Sequence, residues 1–268
     1  MSDSTTTSRR SLVPRSVQLV VHQVRYEQLA FWLNRVGAIF TVVFSVLFLV
    51  MLGASAGQSR VSYLDNMKLI TYYVPGFVAY GIMSACFTTL AINLVVRRET
   101  GQLKRLRLSP LPSRVLVVAI FVSTTIVALV QVVLLLLIGR FGYAVHFPVS
   151  WLSFALAVLV GVVSFSAMGV AISTVIPNQE SAGPVTSIVF FVLLFLAGLW
   201  FPLSPHSALQ KFSNYFPVLH FIRAVDAPFE FQPGVSPWAW HDLLIIALWG
   251  AAAVIVAVRK FKWAPRRS

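Results

Sequence analysis

Residues that usually carry chemistry are sparse in this 268-residue chain and fall into no reactive pattern. The five histidines, His22, His146, His206, His220 and His241, are scattered. No H-E-x-x-H pair sets two imidazoles on one helical face, and there is no G-x-S-x-G elbow, Walker P-loop or Gly-rich dinucleotide turn. Cys86 is the only cysteine, so neither a disulfide framework nor a Cys-rich metal site can form. No catalytic residue and no metal ligand is assigned, and the chain is not expected to be an enzyme.

The elements that carry these residues are apolar. Hydrophobic residues make up 58% of the chain and charged residues 11%, against roughly 25% charged in soluble domains. Mean hydropathy is +0.83. Six apolar runs, at about 36–56, 72–96, 115–138, 151–176, 185–201 and 238–258, match a hydrocarbon core spanned by about 20 helical residues. The fold expected is all-α integral membrane, with six transmembrane helices forming a single domain over 16–260. The Ser/Thr-rich stretch 1–15 reads as a disordered basic tail and 261–268 as a second basic tail. Before the first span, Val17, Val20, Val21, Val24 and Phe31 share a helical face opposite Gln18, His22 and Arg25, as in an amphipathic helix lying at the membrane interface. Glu27 and Gln28 interrupt its apolar stripe. Arg9-Arg10 and Ala54-Ser55-Ala56 resemble processing signals, but the polar lead and the apolar run are both too long for a secretory peptide.

The fifth run is short, and Pro202 and Pro205 follow it closely, so short re-entrant or extracellular helices are expected between spans five and six. Away from their ends, the runs carry only uncharged polar residues. Asn93, Gln131, Cys86 and the hydroxyl residues suit helix packing. An ion-coupled transporter usually needs an intramembrane charge, and these interiors supply none, so the energy source is expected elsewhere.

The net charge of +13 is unevenly placed. Sixteen of the 21 Lys and Arg residues lie in 1–35, 97–114 and 259–267, all on one side of a six-span chain. Basic loops stay cytoplasmic, which predicts a multi-pass protein of the plasma (inner) membrane with both termini in the cytoplasm. Acidic residues divide four to each side, leaving +12 inside and +1 outside. Attraction to anionic head groups explains this basicity without nucleic acid.

The loop after the second span reads Arg97-Arg98-Glu99-Thr100-Gly101-Gln102-Leu103-Lys104-Arg105-Leu106-Arg107-Leu108-Ser109-Pro110-Leu111-Pro112-Ser113-Arg114. Leu103, Leu106 and Pro110 can share one side of a short helix while Lys104, Arg105 and Arg107 face water or phosphate; the prolines stop it. By itself this is a basic loop that fixes topology. It also resembles the cytoplasmic loop of the ABC-2 family, the membrane subunits of ATP-binding-cassette exporters. Those loops run Arg-Glu-x-Gly-x-Leu-x-x-Leu-x-x-(Ser)-Pro-Leu, matched by Arg98, Glu99, Gly101, Leu103, Leu106, Pro110 and Leu111.

A second landmark lies between spans five and six, where the family has a Pro-rich exit, a short amphipathic helix and a Pro-aromatic stretch ending in Arg. Here these are Trp200-Phe201-Pro202, then Leu209–Ser213, then Phe216-Pro217 and Arg223. The resemblance implies that residues 98–110 form the coupling loop on a separate ATPase subunit, and that Trp200, Phe201, Pro202, Phe216, Pro217 and Arg223 belong to an outer gate. It implies a second permease copy or paralogue, ATP and Mg2+ held by the partner and no cofactor on this chain. The N-terminal stretch 21–26 resembles drug-efflux members related to daunorubicin-resistance permeases more than polysaccharide exporters, which implies efflux of an amphipathic drug, lipid or natural product. Export of a polysaccharide or glycolipid is the alternative, with a secondary transporter, a membrane enzyme and a non-transporting anchor as readings from other classes.

Overall fold

The computed structural model describes residues 15–56, 59–61, 67–102, 113–200, 207–229 and 236–260. The expected residues 1–14 and 261–268 of the tails, Leu103–Pro110 of the coupling loop, and Phe201 and Pro202 lie outside them.

Helix α1 spans Arg15–Leu33. Asn34 ends it and caps the next helix, its side chain accepting from the Gly37 N–H at 3.2 Å. Helix α2 runs through Arg35–Ala38, a π-helical turn Ile39–Val43 and Phe44–Ala56. Helix α3 has the same plan, with Leu69–Met83, a π-helical turn Ser84–Thr89 and Leu90–Glu99. Helices α4 (Ser113–Tyr143), α5 (Trp151–Ser173) and α6 (Gln179–Leu196) follow, then the short α7 (Ala208–Ser213) and α8 (Pro217–Asp226), and finally α9 (Trp240–Lys260). Arg60–Val61 and Met67–Lys68 pair as a minimal antiparallel ladder between α2 and α3.

Six of these, α2 to α6 and α9, are long and apolar enough to cross a membrane, so the chain is an all-α integral membrane protein with an N-terminal interfacial helix. The bounds differ most at α6, which starts at Gln179 rather than near 185 because the Asn178 side chain accepts from the Ser181 N–H at 3.0 Å. Asn is among the strongest N-caps, and Pro184 is carried inside the helix that cap begins. The far end stops early for a similarly local reason. Gly198 takes a φ of +71°, Leu199 N–H donates to Leu194 C=O at 3.4 Å and Gly198 N–H to Phe195 C=O at 3.1 Å. This is a Schellman ending.

Helix α3 is the hub. Its most apolar stretch is 78% buried, against 22% for α6, so α6 keeps most of its surface for lipid or another chain. Phe77, Ile82 and Met83 of α3 are fully buried, as are Phe165 of α5 and Phe221 of α8. Small residues bring the helices together, as is usual where lipid removes the hydrophobic drive for association. A Cβ added at Gly169 of α5 would sit 2.6 Å from the Cys86 carbonyl oxygen and 2.9 Å from that of Phe87. Neither backbone oxygen can step aside. Gly169→Ala is therefore expected to destabilise the bundle by about 1–3 kcal/mol, read as a lower thermal midpoint in detergent. Gly183→Ala in α6, whose Cβ meets nothing within 4 Å among the described residues, should leave that midpoint unchanged or slightly raised.

Gln131 and Thr41, among the polar residues expected to serve packing, join helices. Gln131 of α4 is buried and donates through Nε2 to the Thr41 carbonyl and, at 3.4 Å, to Ser45 Oγ, both on α2. Thr41 Oγ1 lies 3.0 Å from Thr89 Oγ1, so the π-helical turns of α2 and α3 touch. Such turns free backbone groups from the i→i−4 ladder and recur at functional places.

Candidate functional site

The Arg-Glu-x-Gly motif begins on the last turn of α3, where two neighbouring arginines have different tasks. Arg97 makes a bidentate pair with Glu27 of α1; its Nη1 donates to Oε1 at 2.8 Å and its Nη2 to Oε2. Gln23 Nε2 donates to the same Oε1 at 3.0 Å, and Gln28 Nε2 donates to Ser123 of α4 at 2.8 and 2.9 Å. Glu27 and Gln28 thus do not break an apolar stripe. They form the side of α1 that grips the bundle, while Val17, Val21, Leu29 and Leu33 are exposed and suit the bilayer.

Arg98 is buried and closes the end of α5. Its two Nη atoms donate to the carbonyls of Ser173 at 3.0 Å, Ile176 at 2.7 Å and Pro177 at 3.3 Å, while Nε donates to Glu99 Oε1 at 3.0 Å. The last carbonyls of a helix have no internal partner and carry its negative pole, and a guanidinium answers both needs. Glu99 is paired with its immediate neighbour. Gly101 turns the chain with a φ of +71°, and among the described residues no atom lies within 4 Å of where its side chain would begin.

Beside this end lies a cavity of about 470 Å3 between α1, α2, α3, α4 and α6. It follows α3 from Tyr80 to Arg97, about 25 Å at helical rise. Phe31, Phe40, Phe44, Tyr80, Phe190 and Phe191 give it aromatic walls, and Asn34, Ser84, Thr88, Asn93 and Ser187 add uncharged polar groups. Its two charged residues, Glu27 and Arg97, neutralise each other. Thr88 Oγ1 is buried with no hydrogen-bond partner among the described residues. The size and the mainly apolar, sparsely polar lining suit a drug-sized amphipathic molecule.

At the other end of α5, the segment between α6 and α9 folds into the bundle. Trp200 wedges its ring against Phe48 of α2 (4.8 Å) and Phe77 of α3 (6.0 Å), and Tyr72 Oη donates to the Gly198 carbonyl at 2.9 Å. Ser213 Oγ donates to the Leu196 carbonyl, fixing α7 to the end of α6. Phe216 precedes α8 and packs in a tilted arrangement 5.2 Å from the Phe212 ring, Pro217 occupies its first turn, and Arg223 donates to Asn214 Oδ1 at 3.3 Å. Phe221 packs 4.9 Å from Phe165, over Gly161. Helix α8 is therefore a buried element.

His220, one residue before, is a feature that spacing did not reveal. Its Nδ1 lies 2.5 Å from Asp242 Oδ1 and its Nε2 2.9 Å from the Asn214 carbonyl oxygen. Both neighbours accept, which suits the imidazolium, and the Asp242 hydrogen bond raises its pKa above the ordinary imidazole value against the opposing effect of burial. Asp242 stands 22 residues away on the next long helix, with His241 beside it. No local motif could have announced the group.

Comparison with known proteins fits this geometry. Residues 55–259 match the profile of ABC-2 family transporter proteins. Similar proteins include YvfS of Bacillus subtilis, named a transport permease, 24% identical over 68% of this chain and 73% of its own length. Another is YbhR of Escherichia coli K12, named a multidrug ABC transporter permease, 25% identical over 74% of this chain and 55% of its own. The chain thus spans little more than half the length of YbhR. With a matched region that takes in α3 to α6, the motif on α3 and the segment before α9, the chain belongs to the ABC-2 family of transporter proteins.

Proposed function

We propose that this permease is the membrane-spanning subunit of an ATP-driven exporter that moves an amphipathic drug, lipid or natural product out of the cell. The observation that carries the reading is the cavity beside α3, with aromatic walls, uncharged polar groups and one self-neutralised ion pair. An amphipathic cargo loses little by entering such a space, whereas a charged one would lack a partner. The multidrug name of YbhR supports efflux.

In this reading ATP and Mg2+ belong to a separate ATPase subunit. That subunit docks on the basic segment that follows Glu99, on the cytoplasmic side with both termini. A second permease copy or paralogue meets the exposed face of α6 to complete the path, and Trp200, Phe216, Pro217 and Arg223 stand near its outer end as the gate. The apolar depth of α8 supports its re-entry from that side.

The test is transport in proteoliposomes containing the permease and its P-loop ATPase, with a fluorescent amphipathic dye as cargo. Dye movement is expected to require ATP and the ATPase, and Ser187→Trp, which fills the cavity, should reduce it several-fold while the unfolding midpoint is kept. Movement without the ATPase, driven by an ion gradient, would replace this reading by a secondary transporter.

A further inference from the structure

We propose that His220, His241 and Asp242 form a binding site for a transition-metal cation of the Zn2+ class, clamping α8 to the start of α9. One donor atom from each residue lies within 4.8 Å of the other two. Tetrahedral Zn2+ holds nitrogen and oxygen ligands at about 2.0–2.2 Å, which sets neighbouring donors roughly 3.4 Å apart. His220 Nδ1 and Asp242 Oδ1 are 2.5 Å apart, and His241 Nδ1 and Asp242 Oδ1 are 3.9 Å apart. These separations bracket the required value. The His241 side chain is 80% exposed, so it can turn into place without disturbing the bundle.

The surroundings suit a metal as well as the distances do. Metal-bound imidazoles almost always give their second ring N–H to a carboxylate, carbonyl or water, which fixes the tautomer and aims the ligating nitrogen. His220 has this arrangement, with Nε2 facing the Asn214 carbonyl oxygen at 2.9 Å and Nδ1 directed at the Asp242 carboxylate. A metal would take the place of the hydrogen now between Nδ1 and Oδ1. Two imidazoles and one carboxylate favour Zn2+ and its borderline neighbours over Mg2+ or Ca2+, which need more oxygen ligands. The exposure of His241 leaves a remaining position accessible to water. Arg223, the nearby cation on α8, is engaged by Asn214 Oδ1. Bound there, the metal would tie the helix that lies deep in the bundle to the long helix that follows it.

The experiment uses the full-length protein, purified in detergent without a polyhistidine tag and titrated with Co2+, whose visible bands report a four-coordinate site. Wild type is expected to bind one Co2+ per chain and to lose the bands when Zn2+ is added. His241→Ala, exposed and harmless to the fold, should lower Co2+ affinity by at least about tenfold, since losing a ligand costs no less than losing an outer partner. Asp242→Asn should do the same, and His146→Ala should not. Absence of the bands at micromolar Co2+, or equal binding by wild type and His241→Ala, would overturn the site and leave an ion pair only. Equal loss with His146→Ala would also overturn it, as scattered surface binding. Because the readout is metal binding, failure here is independent of whether the protein exports anything.

Discussion

Arg98→Ala is expected to be the most damaging single truncation among the charged residues, lowering stability by about 3 kcal/mol or more. The side chain is 3% exposed as a residue and serves three carbonyls at the end of α5 together with Glu99. Alanine removes every donor at once, and each buried acceptor left unpaired costs about 1–3 kcal/mol. Thermal unfolding in detergent should show the midpoint fall by on the order of 10 °C. Arg98→Lys keeps the charge but presents a compact ammonium in place of a planar fork, so it should fall between wild type and alanine. Glu99→Ala should cost far less, because the carbonyls keep their donors. An alanine variant that unfolds with wild type would show that Arg98 does not hold α5.

The second large effect is expected at Glu27 and Arg97, which join α1 to α3 in a mostly buried bidentate pair. Glu27→Gln and Arg97→Gln should each lower the midpoint clearly, because breaking a buried pair leaves one charge without a partner. The two together should cost less than their sum, with a coupling energy of about 2 kcal/mol in a double-mutant cycle. Exchanging the charges, Glu27→Arg with Arg97→Glu, should recover part of the loss. Strict additivity would mean that α1 is held by its other bonds alone, such as Gln28 to Ser123.

How much of this was legible in the sequence follows from the range of each interaction. The six spans could be read because a hydrocarbon core demands about 20 apolar residues whatever their neighbours. The start of α6 was misplaced because a single residue, Asn178, sets it by a local hydrogen bond that overrides the hydropathy pattern. Glu27 looked like an interruption in α1 because its partner is 70 residues away. The same distance problem hid Arg98, readable as part of a motif but not as the cap of α5, and the His220–Asp242 pair, whose members meet only after α8 turns inward. The aromatic segment around Trp200 and Phe216 was visible as a landmark, while its depth depends on Gly161 leaving room for Phe221.

The adjacency of Arg97 and Arg98 has a mechanical meaning. The final turn of α3 is riveted on one side to α1 and on the other to the end of α5, and the chain that leaves it at Thr100 and Gly101 begins at that double joint. Any pull applied to the segment beyond is shared at once by an interfacial helix and a spanning one. In the proposed exporter, α3 would carry that pull past the π-helical turn at Ser84–Thr89, which lies beside the cavity.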